Sequence, residues 1–468
     1  MIPLSARPGT LTGRVVCADD AEYAAACAGF NLLYTNRPAA IVFVRDTTDA
    51  VNALAWARHH GVPVRARSGR HCLEGWSTVD DGLVIDVSEM KSVAVDVATK
   101  TATVGAGLNQ SETVAALGAA GFATATGTEG TVGLVGATLG GGFGLLTRAF
   151  GMACDNLVAA EVVVASGTGG AESVTADLNS NPDLLWALRG AGNGNFGIVT
   201  SLTYAIHPLA QTIYVVATWS GLDDLPAVFQ AWQRCAPFLD HRLTTQLEIL
   251  RDQISMIGVL VSGSETEALQ ILAPILAVGT PRVEATDSDW AATYAGFQIP
   301  AEDEPANWKF LSQFISRPFP PEAVQLIGAY MSAAPTSACN YFTNALGGAV
   351  TTSEPRGGAA YAHRNALFYA EPGAGWGVRG GAPASDDPLT ATCLAWITEF
   401  GEALQPFITG AYINVPNAGM PDWERAYWGA NVDRLRAIKA AYDPDNIFQF
   451  EQSITPPKGI HDISREQT

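Results

Sequence analysis

A chain of 468 residues is too long for one ordinary hydrophobic core and predicts about two domains. With 46 acidic against 27 basic residues, a formal charge of −19 and no basic cluster beyond two or three residues, it excludes nucleic acid, whose phosphates need a cationic face, and disfavours an anionic membrane surface. The seven cysteines (Cys17, Cys27, Cys72, Cys154, Cys235, Cys339, Cys393) are dispersed and lack CxxC spacing, so neither a metal site nor a disulfide framework is expected.

The opening Met1–Pro8 has no apolar stretch of signal-peptide length, and no run reaches the roughly 18 apolar residues of a membrane span; a cytoplasmic protein is the expectation. Ala40–Val44 reads as a buried strand. Thr47 or Thr48 is expected to cap a helix through Val51, Leu54, Ala55 and Arg58, with Gly61 just past its end. Val62–Val64 begins the next strand, which leaves through the loop Arg67-Ser68-Gly69-Arg70-His71. Leu83–Val87 and Val93–Val97 follow as strands, then a helix near Ser111–Gly118. Glycine is so dense from Thr131 to Gly144 that neither helix nor long strand is expected there. Val162–Ala165 is a strand and Asp183–Arg189 a short helix. A second glycine-rich approach, Gly190–Gly197, runs into Ile198-Val199-Thr200, and Pro208 marks a boundary.

The middle of the chain differs. Strand candidates Tyr214–Trp219, Gln246–Leu250, Met256–Val261, Tyr341–Thr343 and Asn365–Tyr369 alternate with helical stretches near 224–236, 266–276 and 320–333. That pattern predicts an antiparallel sheet with helices on one face. A helix near Val432–Tyr442 and the run Asp443-Pro444-Asp445-Asn446-Ile447-Phe448 resume the character of the first part. The fold class expected is α+β, with a cofactor domain built from 1–207 and 412–468 around an inserted substrate domain, 208–411.

A histidine ending a tight, basic, glycine-bearing loop is placed to meet the methyl edge of a flavin. Glycines let backbone approach a large planar cofactor, because residues without Cβ shorten contact distances. A neutral imidazole attacks the flavin 8α-carbon when nearby positive charge, here Arg67 and Arg70, stabilises the electron-rich ring. A Rossmann dinucleotide site is the competing reading, but its fingerprint must lie between a first strand and its helix, and these clusters fall mid-domain.

Further runs accompany the loop: Thr128-Glu129-Gly130-Thr131-Val132-Gly133, Gly140-Gly141-Gly142-Phe143-Gly144, Arg148, Gly151, Asp155-Asn156-Leu157, Gly194–Thr200, and Tyr442–Phe448 with Gln452-Ser453-Ile454. As a set they resemble the FAD-linked oxidases of the vanillyl-alcohol-oxidase fold, in the branch of berberine bridge enzyme and 6-hydroxynicotine oxidase. The resemblance spans roughly 35–205 and 410–456 and implies a PCMH-type FAD-binding fold. It implies that Arg67, Ser68, Gly69, Arg70 and His71 wrap the pyrophosphate and that His71 carries an 8α-histidyl bond to FAD. Thr128, Val132, Gly133, Gly140, Gly141, Gly142, Gly144, Asn195, Gly197, Ile198, Val199, Asn414 and Asn446 complete the expected cofactor set.

Three departures matter. Members with two flavin bonds carry a cysteine just after the position of Thr128; here Glu129 stands there, and a carboxylate cannot form that thioether, so one covalent bond is expected, with Cys72 turned elsewhere and Cys154 packed. Val132 matches the small residue that leaves space for dioxygen, which favours an oxidase releasing hydrogen peroxide. The family's Tyr-x-Asn-Tyr is here Tyr412-Ile413-Asn414-Val415, so its second phenol is gone. Tyr412, Glu129 and Tyr369 are the candidate catalytic groups, and a phenol must have its pKa lowered from about 10 to act as a base. Glu371, His363 and Arg364 are further cleft candidates, the last two expected to be structural. The expected activity is hydride transfer from a small alcohol, amine or natural-product intermediate to FAD with O2 as acceptor. Oxidative cyclisation, dehydrogenase behaviour and a non-catalytic flavoprotein are the alternatives; homodimerisation is compatible with the sequence.

Overall fold

A computed structural model describes residues 11–167, 169–303, 305–381 and 386–457; the opening Met1–Pro8 segment lies outside them. Two sheets lie in the first part of the chain. In the smaller, Ala40–Phe43 is wholly buried and pairs in parallel with Leu83–Asp86, which pairs in parallel with Val64–Arg67, while Arg14–Cys17 closes one edge antiparallel. The second runs Val93–Asp96, Thr101–Gly105, Ile198–Ala205, Leu157–Ser166, Gly170–Ala176, antiparallel throughout. One apolar core unites residues from both with Tyr427, Trp428, Leu435, Ile438 and Phe448, so the chain's end returns to its beginning.

The helix Thr47–His60 ends as expected, with Gly61 at φ +63°, but its start is different. Asp46, not Thr47 or Thr48, caps it, accepting from the Asp49 amide at 2.9 Å. Asp46 has the extended backbone a cap requires, whereas both threonines are already helical.

The glycine-dense stretch also departs from expectation: Leu134–Gly140 is a helix. Leu134, Val135, Thr138 and Leu139 are all buried, and this burial overrides the poor helix propensity of glycine and threonine. The strand expected from Val62 starts at Val64 and includes Arg67, and the strand expected at Asn365 runs instead from Phe368 to Trp376. It passes through Pro372 because its neighbour is split into Asn307–Phe310 and Gln313–Ile315, leaving a gap in the ladder where proline's missing N–H costs nothing.

Phe368–Trp376 belongs to an eight-stranded antiparallel sheet with Arg282–Ser288, Thr212–Ser220, Gln253–Val261, Leu243–Ile249, Asn340–Ala345 and the two short strands. Strand residues alternate between faces. Ile213, Val215, Ala217, Leu247, Ile254 and Met256 pack under the helices Leu225–Cys235, Glu265–Leu276, Pro321–Ser332 and Thr390–Leu404. The alternate residues Tyr214, Gln246, Glu248, Ser255, Phe342, Tyr369 and Glu371 line a cavity on the other face.

Arg148 ties the glycine-rich region to this sheet. Its buried guanidinium donates to the carbonyls of Pro237, Leu239, Asp240, Leu243 and Leu346. The expected packing role of His363-Arg364 is matched by their contacts: His363 stacks on Phe314 at 4.1 Å, and Arg364 pairs with Asp155 at 2.6 Å.

Candidate active site

Two adjoining cavities share His71, Val132, Ala137 and Asn414 as common walls. The first, of about 240 Å³, is bounded on one side by the loop after Val64–Arg67, where Arg67, Ser68, Gly69, Arg70 and His71 all line it. Val132 and Gly133 form a second side, Gly197, Ile198 and Val199 a third, and Asn414 a fourth. Gly69 makes this closeness attainable: a Cβ there would lie 2.1 Å from the Gly133 nitrogen. Arg70, at φ +63°, turns the chain into His71, a conformation that costs a non-glycine residue about 1–3 kcal/mol.

Five expected cofactor residues lie behind this lining rather than on it. Gly140 leaves room for Asn414, whose Oδ1 would sit 2.0 Å from a Cβ, and Gly144 packs on the Thr126 carbonyl in the same way. Gly141 faces the Tyr412 ring. Asn195 accepts from the Ile454 amide at 2.9 Å and donates to the Ala191 carbonyl at 2.9 Å, tying down the return segment. Asn446 turns the chain at φ +50° beside Asp443. The buried pair Lys439–Asp443, 2.6 Å apart, anchors that turn, with Asp443 accepting from the Ile447 and Phe448 amides; this brings Phe448 and Phe450 to the cavity. Gly142 and Thr128 line the second cavity instead.

The residues present fit FAD. Arg65 and Arg67 both line the first cavity, and each keeps a buried guanidinium nitrogen without a partner, Nε of Arg65 and Nη2 of Arg67, matched to an anionic diphosphate. The Nε of Arg67 is occupied by Asp86 at 2.6 Å. Arg65 was not singled out from the sequence, although it stands two residues before Arg67 on one strand. Trp76 and Phe450, stacked at 5.4 Å, are a further aromatic wall that no local motif announced. Cys72, expected to turn elsewhere, borders the same cavity; burial pushes its thiol up.

His71 lies where the two cavities meet. Its ring stacks on Phe30 at 4.3 Å, and Nε2 is 2.8 Å from Thr131 Oγ1. Burial pushes the imidazole down to about 4, so it is neutral and nucleophilic at neutral pH.

The second cavity, about 610 Å³, lies between the sheet face and the loop Gly127–Gly130. Gln298 holds that loop, accepting from the Gly130 amide at 2.7 Å and donating to the Thr128 carbonyl at 2.9 Å. Glu129 projects from it, exposed. Tyr369, 1 % exposed, donates a short hydrogen bond to Glu371. Burial, reinforced by the carboxylates of Glu129 and Glu248, pushes Glu371 up to about 7. Tyr412 accepts from the Gly142 amide at 2.6 Å and from Asn414 Nδ2 at 2.7 Å. Both bonds favour a phenolate, yet burial outweighs them and holds the phenol above its ordinary range. Burial does the same to Tyr369, with the Glu371 carboxylate adding to it. Of Tyr369, Tyr412 and Glu371, the last is the group that titrates near neutrality.

Among the described residues, no cluster of three or more metal-ligating side chains occurs and no helix is long and apolar enough to cross a membrane. The chain matches the FAD binding domain model over residues 38–169 and the berberine and berberine-like model over 411–455. It is 39% identical to the FAD-linked oxidoreductase YgaK of Bacillus subtilis over 95% of this chain and 97% of that one, and 36% identical to YvdP of the same organism, covering 96% and 99%. Among solved structures it is similar to Physcomitrella patens BBE-like 1, with a TM-score of 0.87, 26% identity and coverage of 96% and 98%. It therefore belongs to the berberine bridge enzyme-like family of FAD-linked oxidoreductases, and it is an FAD-dependent enzyme with the α+β, PCMH-type fold of that family.

Proposed function

We propose that this enzyme is an oxidase whose FAD is singly attached through an 8α-histidyl bond to His71, acting on a small alcohol, amine or natural-product intermediate. Bound in the first cleft, FAD would supply a two-electron acceptor for the hydride of a substrate C–H bond, with O2 as terminal acceptor and hydrogen peroxide as product. The observation that carries the reading is the position of a neutral His71 at the junction of a cofactor-fitting cleft and a cavity holding a carboxyl group that titrates near 7.

The chain's residues divide the work. Arg65 and Arg67 hold the diphosphate, and the Gly69–Gly133 contact keeps the first cleft narrow. Asn414, donating to the Ala137 carbonyl at 2.8 Å and accepting from Asn193 at 2.8 Å, makes a rigid wall between the cavities. Glu371 takes the substrate proton, with Tyr369 orienting its carboxylate. Tyr412 lines the cleft and positions Asn414 rather than acting as base, because burial raises its phenol.

Acid precipitation of the purified protein beside a His71→Ala variant tests the attachment. Colour in the parent pellet and in the variant supernatant is expected; colour in the parent supernatant overturns it. Peroxide formation during turnover tests the oxidase assignment.

A further inference from the structure

The sheet face beneath the second cavity is laid out in rows. Ser255 stands opposite Glu248, Glu248 opposite Phe342, and Phe342 opposite Glu371, across four neighbouring strands. Directly opposed residues share a face, and strands are about 4.8 Å apart, so the two glutamates flank the Phe342 ring with roughly 10 Å between their backbones. All four side chains line the cavity.

The adjacent row contains Gln246, which is 2 % exposed and also lines the cavity. Its Nε2 donates to Thr128 Oγ1 and to Asn344 Oδ1, both at 2.8 Å. Asn344 spends its own amide nitrogen on the Ala345 carbonyl, so it must present oxygen to Gln246, which fixes the Gln246 amide orientation. Gln246 Oε1 is consequently a buried acceptor without a donor. Such an atom is satisfied when a ligand brings an N–H or O–H group.

Charge points the same way. Glu129, Glu248 and Glu371 line the cavity against one guanidinium, Arg379, which lies 5.0 Å over the Trp308 ring. Burial is the main reason that Glu371 is raised, and the repulsion that Glu129 and Glu248 add to it is relieved by a positive charge between the carboxylates. An aromatic face attracts a cation, and Phe342 supplies one between the two glutamates. Phe30, Tyr214, Phe297, Trp308 and Phe310 make the remaining walls suited to a flat apolar frame.

We propose that this cavity selects a substrate bearing a protonated amine on an aromatic frame, the ammonium seated against Phe342 between Glu248 and Glu371 and within reach of Gln246 Oε1. Transfer of one proton from nitrogen to the Glu371 carboxylate, without change of redox state, leaves the neutral amine, the form whose adjacent C–H can be oxidised. The word substrate rests on the oxidase reading; the binding preference does not, and holds whether or not peroxide is released.

Calorimetric titration of the holoenzyme with shape-matched pairs tests this: tryptamine against tryptophol and 2-phenylethylamine against 2-phenylethanol, with indole-3-propionate as the anion. Each amine is expected to bind at least about tenfold tighter than its alcohol, equivalent to about 1.4 kcal/mol, and the advantage should shrink as salt rises. In Glu248→Gln, with flavin content and melting temperature matching the parent, the advantage should fall to about threefold or less. Equal binding of amine and alcohol, preference for the anion, no binding of either amine, or an undiminished advantage in Glu248→Gln overturns the proposal. The parent comparison decides the matter even if the variant fails to fold, and colour and peroxide assays report separately on the oxidase reading.

Discussion

Gly69 and Gly133 meet backbone to backbone: a Cβ on the first would lie 2.1 Å from the other's nitrogen, and a Cβ on the second 2.5 Å from the nitrogen of Gly69. This contact joins the His71 loop to the start of the Leu134–Gly140 helix and closes two sides of the cofactor cleft. Neither glycine has positive φ, so the requirement is one of space rather than of backbone conformation.

Gly69→Ala should therefore force the two segments apart, costing about 1–3 kcal/mol as overpacking does. Reduced flavin content by absorbance and a lower melting temperature are the expected results. Unchanged flavin content would show that the contact is dispensable.

Glu371 must be ionised to accept a proton. Its pKa near 7 means that kcat/KM should rise with pH through about 7 and level off above it. His71, Glu129, Tyr214, Glu248, Tyr369, Arg379 and Tyr412 are the other titratable or charged groups lining this cavity. Glu371→Gln should lower kcat by about 10²–10⁴-fold and abolish that limb of the profile. A profile with the same limb in the variant would assign the base elsewhere.

Tyr412→Phe separates positioning from base chemistry. It removes the acceptor for the Gly142 amide and for Asn414 while leaving the Glu371 titration in place. The pH limb should persist at about 7, with activity reduced by less than in Glu371→Gln. Loss of the limb in Tyr412→Phe would reinstate the phenol as the base.

His363 is held near 4 by burial, below its ordinary 6.5. Between those values the unfolded chain binds more protons than the folded one, so its stabilising contribution is full above about 6.5 and is lost as pH falls towards 4. Melting temperature should decline over that window, and His363→Gln, compared at each pH, should show a shallower decline. Parallel curves would mean that this histidine does not contribute.

Arg148→Met should destabilise severely, by more than about 3 kcal/mol, because five carbonyls lose a shared donor at the join between the glycine-rich region and the large sheet. Denaturant unfolding measures this. A loss below about 1 kcal/mol would mean that solvent replaces the guanidinium.

The tight loop ending in His71 and the two-part character of the chain were legible in the sequence because both are local properties. Glycine and arginine between a strand end and a histidine restrict backbone and charge within five residues, and the switch from dense glycine to alternating strands is visible in short windows. The amide-accepting phenol of Tyr412 could be named from its motif, but not its environment. Only tertiary structure set that environment: burial raised Tyr412 and Tyr369, and the carboxylates of Glu129 and Glu248, from distant stretches of chain, helped move Glu371 to about 7. Strand register decided that Glu248 and Glu371 flank Phe342, since a shift of one residue in any of the three strands would have turned its own member to the helical face. The helix Leu134–Gly140 was decided in the same way, by packing that outweighs local propensity. Short-range chain geometry marked the loop that ends in His71; long-range register and burial decided which carboxyl faces the second cavity and is raised to about 7.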